Sequence, residues 1–233
     1  MILNVEEAKE DINFAIANIN PEPIGIFTLP LKDHLKYKRI LQSIYDDAPE
    51  ELCQQFDFEP YTKHMCNASN QNLFESFPNL YELKIDLEKI IVAYIQKIGY
   101  LCDKIVINSA WLNNSQKEST LNYHFHSNSY VSANYFINFN PEVHSSLTFE
   151  NDRVTRQSTP NGPIIDILKS EERTIYTARN IGLDIKEGQV LVWRSNQAHG
   201  YYIPNKEDDR LTLSLNTMPK TLDNGSYRFD IDV

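Results

Sequence analysis

Cysteine is scarce in this chain. Cys53, Cys66 and Cys102 form no CxxC spacing, and an odd count suits reduced thiols in a cytoplasm. Each reads as a small buried apolar residue. Long apolar runs are missing too: no stretch approaches the roughly 18 residues that a membrane-spanning helix needs. Met1-Ile-Leu-Asn-Val is followed at once by Glu6, Glu7 and Lys9, so no secretion leader is expected. Positive charge is short as well. Lys and Arg number 22 against 32 Asp and Glu, a net charge of −10, which disfavours a nucleic-acid backbone or an anionic membrane as the main partner. No internal repeat, low-complexity tract or linker divides the chain. What remains is 41% hydrophobic and 11% aromatic over 233 residues, enough for one large domain with a sizeable core.

Helical signals are confined to the first half. Residues 5–19 read as a short helix stopped by Pro21 and Pro23, and Ile24 to Leu31 as a strand. Asp33 is a plausible N-cap for a helix to about Tyr45 that buries Leu35, Ile40, Leu41 and Ile44. Residues 47–78 lack periodicity and read as irregular surface or a lid. The clearest helix runs from about Leu80 to Ile98, where Leu80, Leu83, Leu87, Ile90, Ile91, Tyr94 and Ile98 paint one apolar face. Asn79 and Glu82 resemble a capping arrangement, and Gly99 is its terminator.

From Lys104 onward, short extended segments follow one another: 104–112, 119–126, 130–139, 145–150, 163–168, 173–178, 189–194, 197–203 and 209–217. That spacing predicts a sandwich or barrel of antiparallel strands. The expected fold is mainly β with flanking helices: an N-terminal helical part and possible lid (1–103), a jelly-roll core (104–217) and a tail (218–233).

Two features of the core suggest chemistry. In Asn122-Tyr-His124-Phe-His126 the two imidazoles share one face of an extended strand, a nitrogen-rich grip for a divalent metal. It needs a third ligand, and His199 is the best candidate; His34, His64 and His144 read as scattered solvent-facing histidines. In Arg210-Leu-Thr-Leu-Ser-Leu-Asn216, the three leucines face one side. Arg210, Thr212, Ser214 and Asn216 face the other, either as the wet face of an edge strand or as the wall of a cavity that holds an anion. The loop from Pro204 to Asp209 reads as a hairpin, which would put His199 and Arg210 side by side on adjacent strands.

Taken in order, Trp111-Leu-Asn113, His124-Phe-His126 through Val131-Ser132 to Tyr135-Phe136, Gly188 through His199, and Arg210-Leu-Thr212 to Asn216 resemble the Fe(II)/2-oxoglutarate-dependent oxygenases. They are most similar to a branch found in bacteria and phages. The resemblance covers about residues 104–217. It implies a double-stranded β-helix that binds Fe(II), takes 2-oxoglutarate as cosubstrate and dioxygen as oxidant, and hydroxylates a substrate with release of succinate and carbon dioxide. Arg210 would hold the distal carboxylate, helped by Thr212, Tyr135 and Asn216. Trp111 and Asn113 are candidates for the substrate side, with 47–78 folding over the opening. The substrate class is a peptide or protein side chain or a small metabolite.

The pattern departs from the family at one position, because His126 stands where most members carry Asp or Glu. A triad of His124, His126 and His199 needs no change of register. The alternatives are two protein ligands only, or a set that starts at His126 with Asn128 as a weak oxygen donor. Two rival readings stay open. A cupin-type metalloenzyme without 2-oxoglutarate would normally carry a Glu a few residues after HxH, and position 130 is Tyr. It would also leave Arg210 without a role, and an intact Arg210-Thr212 pair argues against an inert jelly-roll module, binding or structural, or one holding Zn²⁺.

Overall fold

The computed structural model describes residues 5–7, 15–17, 22–67, 72–151 and 171–231. In chain order, strands β1 (Val5–Glu7), β2 (Ala15–Ala17) and β3 (Gly25–Thr28) precede helix α1 (Leu31–Asp46). Strands β4 (Cys53–Phe56) and β5 (Glu59–Met65) follow, then helices α2 (Leu73–Ser76) and α3 (Tyr81–Lys97). The rest is strand: β6 (Ile105–Ser115), β7 (Leu121–His124), β8 (Val131–Asn138), β9 (Thr148–Glu150), β10 (Asn180–Gly182), β11 (Gln189–Arg194), β12 (His199–Tyr201), β13 (Arg210–Pro219), β14 (Thr221–Asp223) and β15 (Arg228–Asp230).

Two antiparallel sheets face each other as a jelly roll. The large one runs β3-β11-β8-β13-β6-β5-β4 and the small one β10-β9-β12-β7. Strand β13 lies at the centre of the large sheet, and both of its faces are covered. Leu211, Leu213 and Leu215 join the core beneath α1 and α3, with Leu41, Leu83, Leu87, Ile91, Val131 and Val192. Between the sheets a smaller apolar cluster of Phe136, Phe139, Leu147, Phe149, Ile185, Leu191, Trp193 and Tyr201 fills one part. The rest of that space is a cavity of about 970 Å³.

Several expectations change. Over residues 5–19, β1 and β2 pair antiparallel where a helix was expected, and the residues between them lie outside the described ones. Helix α1 begins at Leu31 because Pro30 is the cap residue and its carbonyl accepts from the amides of Asp33 and His34. Asp33 is then a first-turn acid favoured by the helix dipole. The buried stripe follows His34, Tyr37, Leu41 and Ile44, a phase that leaves Leu35 exposed. Helix α3 forms as expected and stops at Gly99, whose φ is +97°, but its cap residue is Leu80 with no side-chain cap bond, so Asn79 and Glu82 do not cap it.

The largest change concerns residues 47–78, which supply β4 and β5 and extend the large sheet beyond β6. Among the described residues of this stretch, Phe56, Glu59, Thr62 and His64 line a side wall of the cavity. The expected strand at 163–168 lies outside the described residues; 173–178 is turn rather than strand, and β14 pairs with β15 in the tail. Among the described residues no helix is long and apolar enough to cross a membrane.

Candidate metal and oxo-acid site

The site begins with one tight strand pairing. Strands β7 and β12 are antiparallel, with His199 directly opposite His124. The approach depends on Gly200: a Cβ there would sit 2.6 Å from the carbonyl oxygen of Leu121, closer than real carbon contacts allow. His126 lies two residues beyond β7, its amide donating to the carbonyl of Ser195 at 2.9 Å. The ring centroids of His124 and His199 are 4.5 Å apart, those of His124 and His126 5.0 Å, and those of His126 and His199 5.2 Å. One ligand nitrogen from each lies within 4.8 Å of the others.

Backbone carbonyls set the tautomers of two rings. Nδ1 of His124 meets the carbonyl oxygen of Asn122 at 2.8 Å, and Nδ1 of His199 that of Gln197 at 2.9 Å. Each Nδ1–H is thereby engaged, leaving the Nε2 lone pair for a metal. Burial, with the charge of His124 added, pushes His126 down to about 4. Burial, with the charges of His124 and His126 outweighing the Gln197 carbonyl, pushes His199 down to about 3. At neutral pH both are neutral imidazoles, the form that ligates. Three imidazole nitrogens suit iron, nickel, copper or zinc. Asn128 lies exposed at the mouth, outside the histidine group.

Arg210 stands across the cavity from the imidazoles. Strands β12 and β13 belong to opposite sheets, so His199 and Arg210 are not hairpin neighbours as expected; they face each other between the layers. Arg210 is buried. Its Nε donates to the carbonyl of Ser145 at 3.1 Å, and its guanidinium lies 4.8 Å from the Tyr201 ring, 5.6 Å from Phe136 and 5.7 Å from Phe139. Among the described residues no carboxylate pairs with it, and Nη2 has no partner. Burial lowers its pKa, yet guanidinium stays charged. A buried cation without an anion is costly.

Three more orphaned atoms line the same space: the Thr212 hydroxyl, the Trp193 indole Nε1 and Asn134 Oδ1. The first two are donors. Arg210 and these donors could hold the carboxylate of an oxo acid whose other end reaches the imidazoles. Tyr201 closes the Arg210 end, its hydroxyl within 3.3 Å of Ser119 Oγ and 3.4 Å of Ser115 Oγ.

The remaining predicted residues divide. Asn216 lies at the histidine end, its Nδ2 3.4 Å from His126 Nδ1 and its Oδ1 accepting from Ser132 Oγ at 2.9 Å. Trp111 lines the cavity with its ring 6.0 Å from that of His126. Asn113 donates to Ser214 Oγ at 2.8 Å and its Oδ1 lies 2.8 Å from His64 Nδ1. Tyr135 does not face the cavity. It alternates with Asn134 and Phe136, so it points beneath α1, where its hydroxyl meets His34 Nδ1 at 2.7 Å. His34, His64 and His144 are not solvent-facing either; each is buried with both ring nitrogens engaged. Trp193, Asn134 and Tyr201 were missed. Tyr201 was findable, since two residues past His199 on a strand means the same face.

Residues 109–216 match the model of a family described as "Putative 2OG-Fe(II) oxygenase". That span runs from within β6 to within β13 and carries the three histidines and Arg210. No curated protein matches the chain in sequence. Similar solved structures include HygX from Streptomyces hygroscopicus with nickel, 2-oxoglutarate and hygromycin B bound, at 13% identity over 85% of this chain and 83% of that one, TM-score 0.53. The non-heme alpha-ketoglutarate-dependent epimerase SnoN from nogalamycin biosynthesis aligns at 10% identity over 86% and 77%, TM-score 0.61. A prolyl-4-hydroxylase of Pseudomonas putida aligns at 10% identity over 84% and 92%, TM-score 0.51. The motif resemblance to Fe(II)/2-oxoglutarate oxygenases is thus borne out, and the jelly roll is the fold of these neighbours.

Proposed function

We propose that this chain is a cytoplasmic Fe(II)- and 2-oxoglutarate-dependent hydroxylase, with residues 1–233 acting as one domain. The observation that carries the reading is Arg210: a buried guanidinium with no anionic partner among the described residues, on the same cavity as three converging imidazoles. A structural zinc module would account for the imidazoles and leave that charge unexplained. The family match to 109–216 supports the oxygenase class. The large sheet, drawn from residues 25–219, supports a single unit, and three unpaired cysteines suit a reducing compartment.

His124, His126 and His199 hold the metal, and Arg210 with Thr212 holds the distal carboxylate of 2-oxoglutarate. When bound, iron and 2-oxoglutarate supply the oxidising chemistry, consuming dioxygen and releasing succinate and carbon dioxide. The chain's own part is to fix and shield. The carbonyls of Asn122 and Gln197 orient two imidazoles. The apolar cluster around Phe149, Leu147 and Trp193 keeps water from one side of the site. Trp111 and Asn113 line the part of the cavity left for a substrate, a peptide or protein side chain or a small metabolite. HygX, a structure of the same fold, is described with hygromycin B bound, and another neighbour is a prolyl-4-hydroxylase.

Anaerobic addition of Fe(II) and 2-oxoglutarate is the test. A visible metal-to-ligand charge-transfer band is expected for the unmodified chain, and none for Arg210→Ala at the same cosubstrate concentration. A band of equal strength in both would sink the cosubstrate assignment. Succinate release measured across candidate substrates then identifies the coupled reaction.

A further inference from the structure

Beyond the histidines, the cavity has a second wall with its own chemistry. Strand β5 pairs with the outer side of β6 and turns Glu59, Thr62 and His64 toward the cavity. Glu59 is only 8% exposed and His64 only 5%. His64 Nε2 lies 2.7 Å from Glu59 Oε2 and Nδ1 2.8 Å from Asn113 Oδ1, and these two contacts fix the carboxylate. The second Glu59 oxygen takes no hydrogen bond among the described residues.

Neighbouring groups restrict what that oxygen can receive. Phe56 and Phe58 stack at 5.1 Å, and the Phe56 ring lies 5.0 Å from that of His64. Glu75 also lines the opening. Arg210 is the one Lys or Arg among the lining residues, and its charge belongs to the oxo acid. Among the described residues the substrate end therefore offers carboxylates, aromatic faces and the His64 imidazole, and no Lys or Arg. An anionic substrate would meet the Glu59 and Glu75 carboxylates there. An ammonium group gains a carboxylate and ring faces.

Resting on the oxygenase reading, we propose that Glu59, oriented by His64, binds the ammonium group of the substrate, while Trp111 and Asn113 span the way to the metal. Strands β5 and β6 are adjacent, about 4.8 Å apart. Asn113 touches His64, and Trp111, two residues along the same face of β6, lies beside His126. A substrate held at Glu59 thus extends past Trp111 toward the imidazoles. Its source is either an amino-bearing small molecule or a lysine side chain.

Calorimetry tests this with glucosamine and Nα-acetyllysine methylamide, each compared with its N-acetylated neutral partner, on the chain alone and on the chain loaded with Ni(II) and 2-oxoglutarate. At least one ammonium probe is expected to bind about tenfold or more tightly than its neutral partner. Which one does so separates a small amine from a lysine side chain. Glu59→Gln should abolish that preference and leave Ni(II) and 2-oxoglutarate binding unchanged, while His64→Gln, which keeps a donor toward Glu59, should retain part of it. Equal binding of charged and neutral probes, no binding of either, or an undiminished preference in Glu59→Gln would overturn the proposal. The first comparison needs no variant, so misfolding cannot mask it. If the chain selects ammonium but fails to bind 2-oxoglutarate, the oxygenase reading falls and the Glu59 assignment stands.

Discussion

The two faces of β8 and β13 treat their buried polar groups in opposite ways. On the helix-covered face, Tyr135 meets His34, and His34 meets Glu187 at 3.1 Å. Glu187 in turn accepts from Lys38 Nζ at 2.9 Å and from the amide of Phe139 at 3.2 Å. On the cavity face, one residue away in each strand, Asn134 Oδ1, Thr212 Oγ1 and Arg210 Nη2 have no partner. The same division sorts the histidines: His34, His64 and His144 use both ring nitrogens, whereas His124 and His199 each spend Nδ1 on a carbonyl and keep Nε2 free. Burial alone does not separate structural from functional polar groups here. What separates them is whether the protein itself completes the bonds. Unfinished bonds in a buried place are a ligand's outline.

Breaking the cavity side should give the largest effects. Arg210→Ala removes the one Lys or Arg that lines the cavity among the described residues, and 2-oxoglutarate affinity should fall about 100-fold or more, with Ni(II) affinity retained; titration calorimetry of both ligands checks the split. Arg210→Met sharpens the contrast. Replacing an unpaired buried charge with a well-packed apolar chain should leave the ligand-free protein as stable or more stable, measured by urea unfolding. A large loss of stability would mean that Arg210 is completed by the protein after all. His199→Ala should weaken metal binding about 100-fold or more. Gly200→Ala should do nearly as much without touching a ligand, because its Cβ drives β12 from β7 at Leu121.

Much of the cavity side was legible from residue order. Alternation alone puts Arg210, Thr212, Ser214 and Asn216 on one face of β13 and the leucines on the other, and HxH needs only an extended chain to aim two imidazoles together. The pairing of strands was not legible. A short loop between His199 and Arg210 looked like a hairpin, but the jelly roll sends the chain to the opposite sheet, a choice made by packing between layers. Period-two reasoning applied to Tyr135 would have excluded it, since Phe136 and Asn134 take the cavity face. The resemblance favoured it, and the alternation of β8 overrules that. Strands β4 and β5 escaped notice because β5 turns Glu59, Thr62 and His64 to the cavity and β4 leaves Gln54 and Gln55 exposed, so apolar alternation never develops.

The helix-covered side should respond to pH in its own window. Desolvation tends to raise the carboxyl of Glu187, but the bonds from Lys38, His34 and the Phe139 amide prevail and hold it below its usual 4.5. Its contribution to stability is therefore complete above about 4.5 and is lost as pH falls through the lower folded value. Urea unfolding followed downward from neutral pH should show an acid loss that Glu187→Gln diminishes. An unchanged acid limb in the variant would show that this network does not couple to proton uptake.

The smallest effect is the sharpest discriminator between the faces. Tyr135→Phe deletes one hydroxyl from a completed network and leaves His34 Nδ1 without its partner. Burial, together with the nearby Glu187 charge, holds that phenol well above its ordinary range, so it acts as a neutral donor or acceptor only. The cost should be about 1 kcal/mol of stability, and 2-oxoglutarate and metal binding should not move. Because Tyr135 hydrogen-bonds on one side of the sheet while its chain neighbours line the other, any loss of 2-oxoglutarate affinity in this variant would have to pass through the backbone of β8. That outcome would mean the two faces are one mechanical unit, and that the network beneath α1 helps to hold Asn134 and Phe136 where the oxo acid needs them.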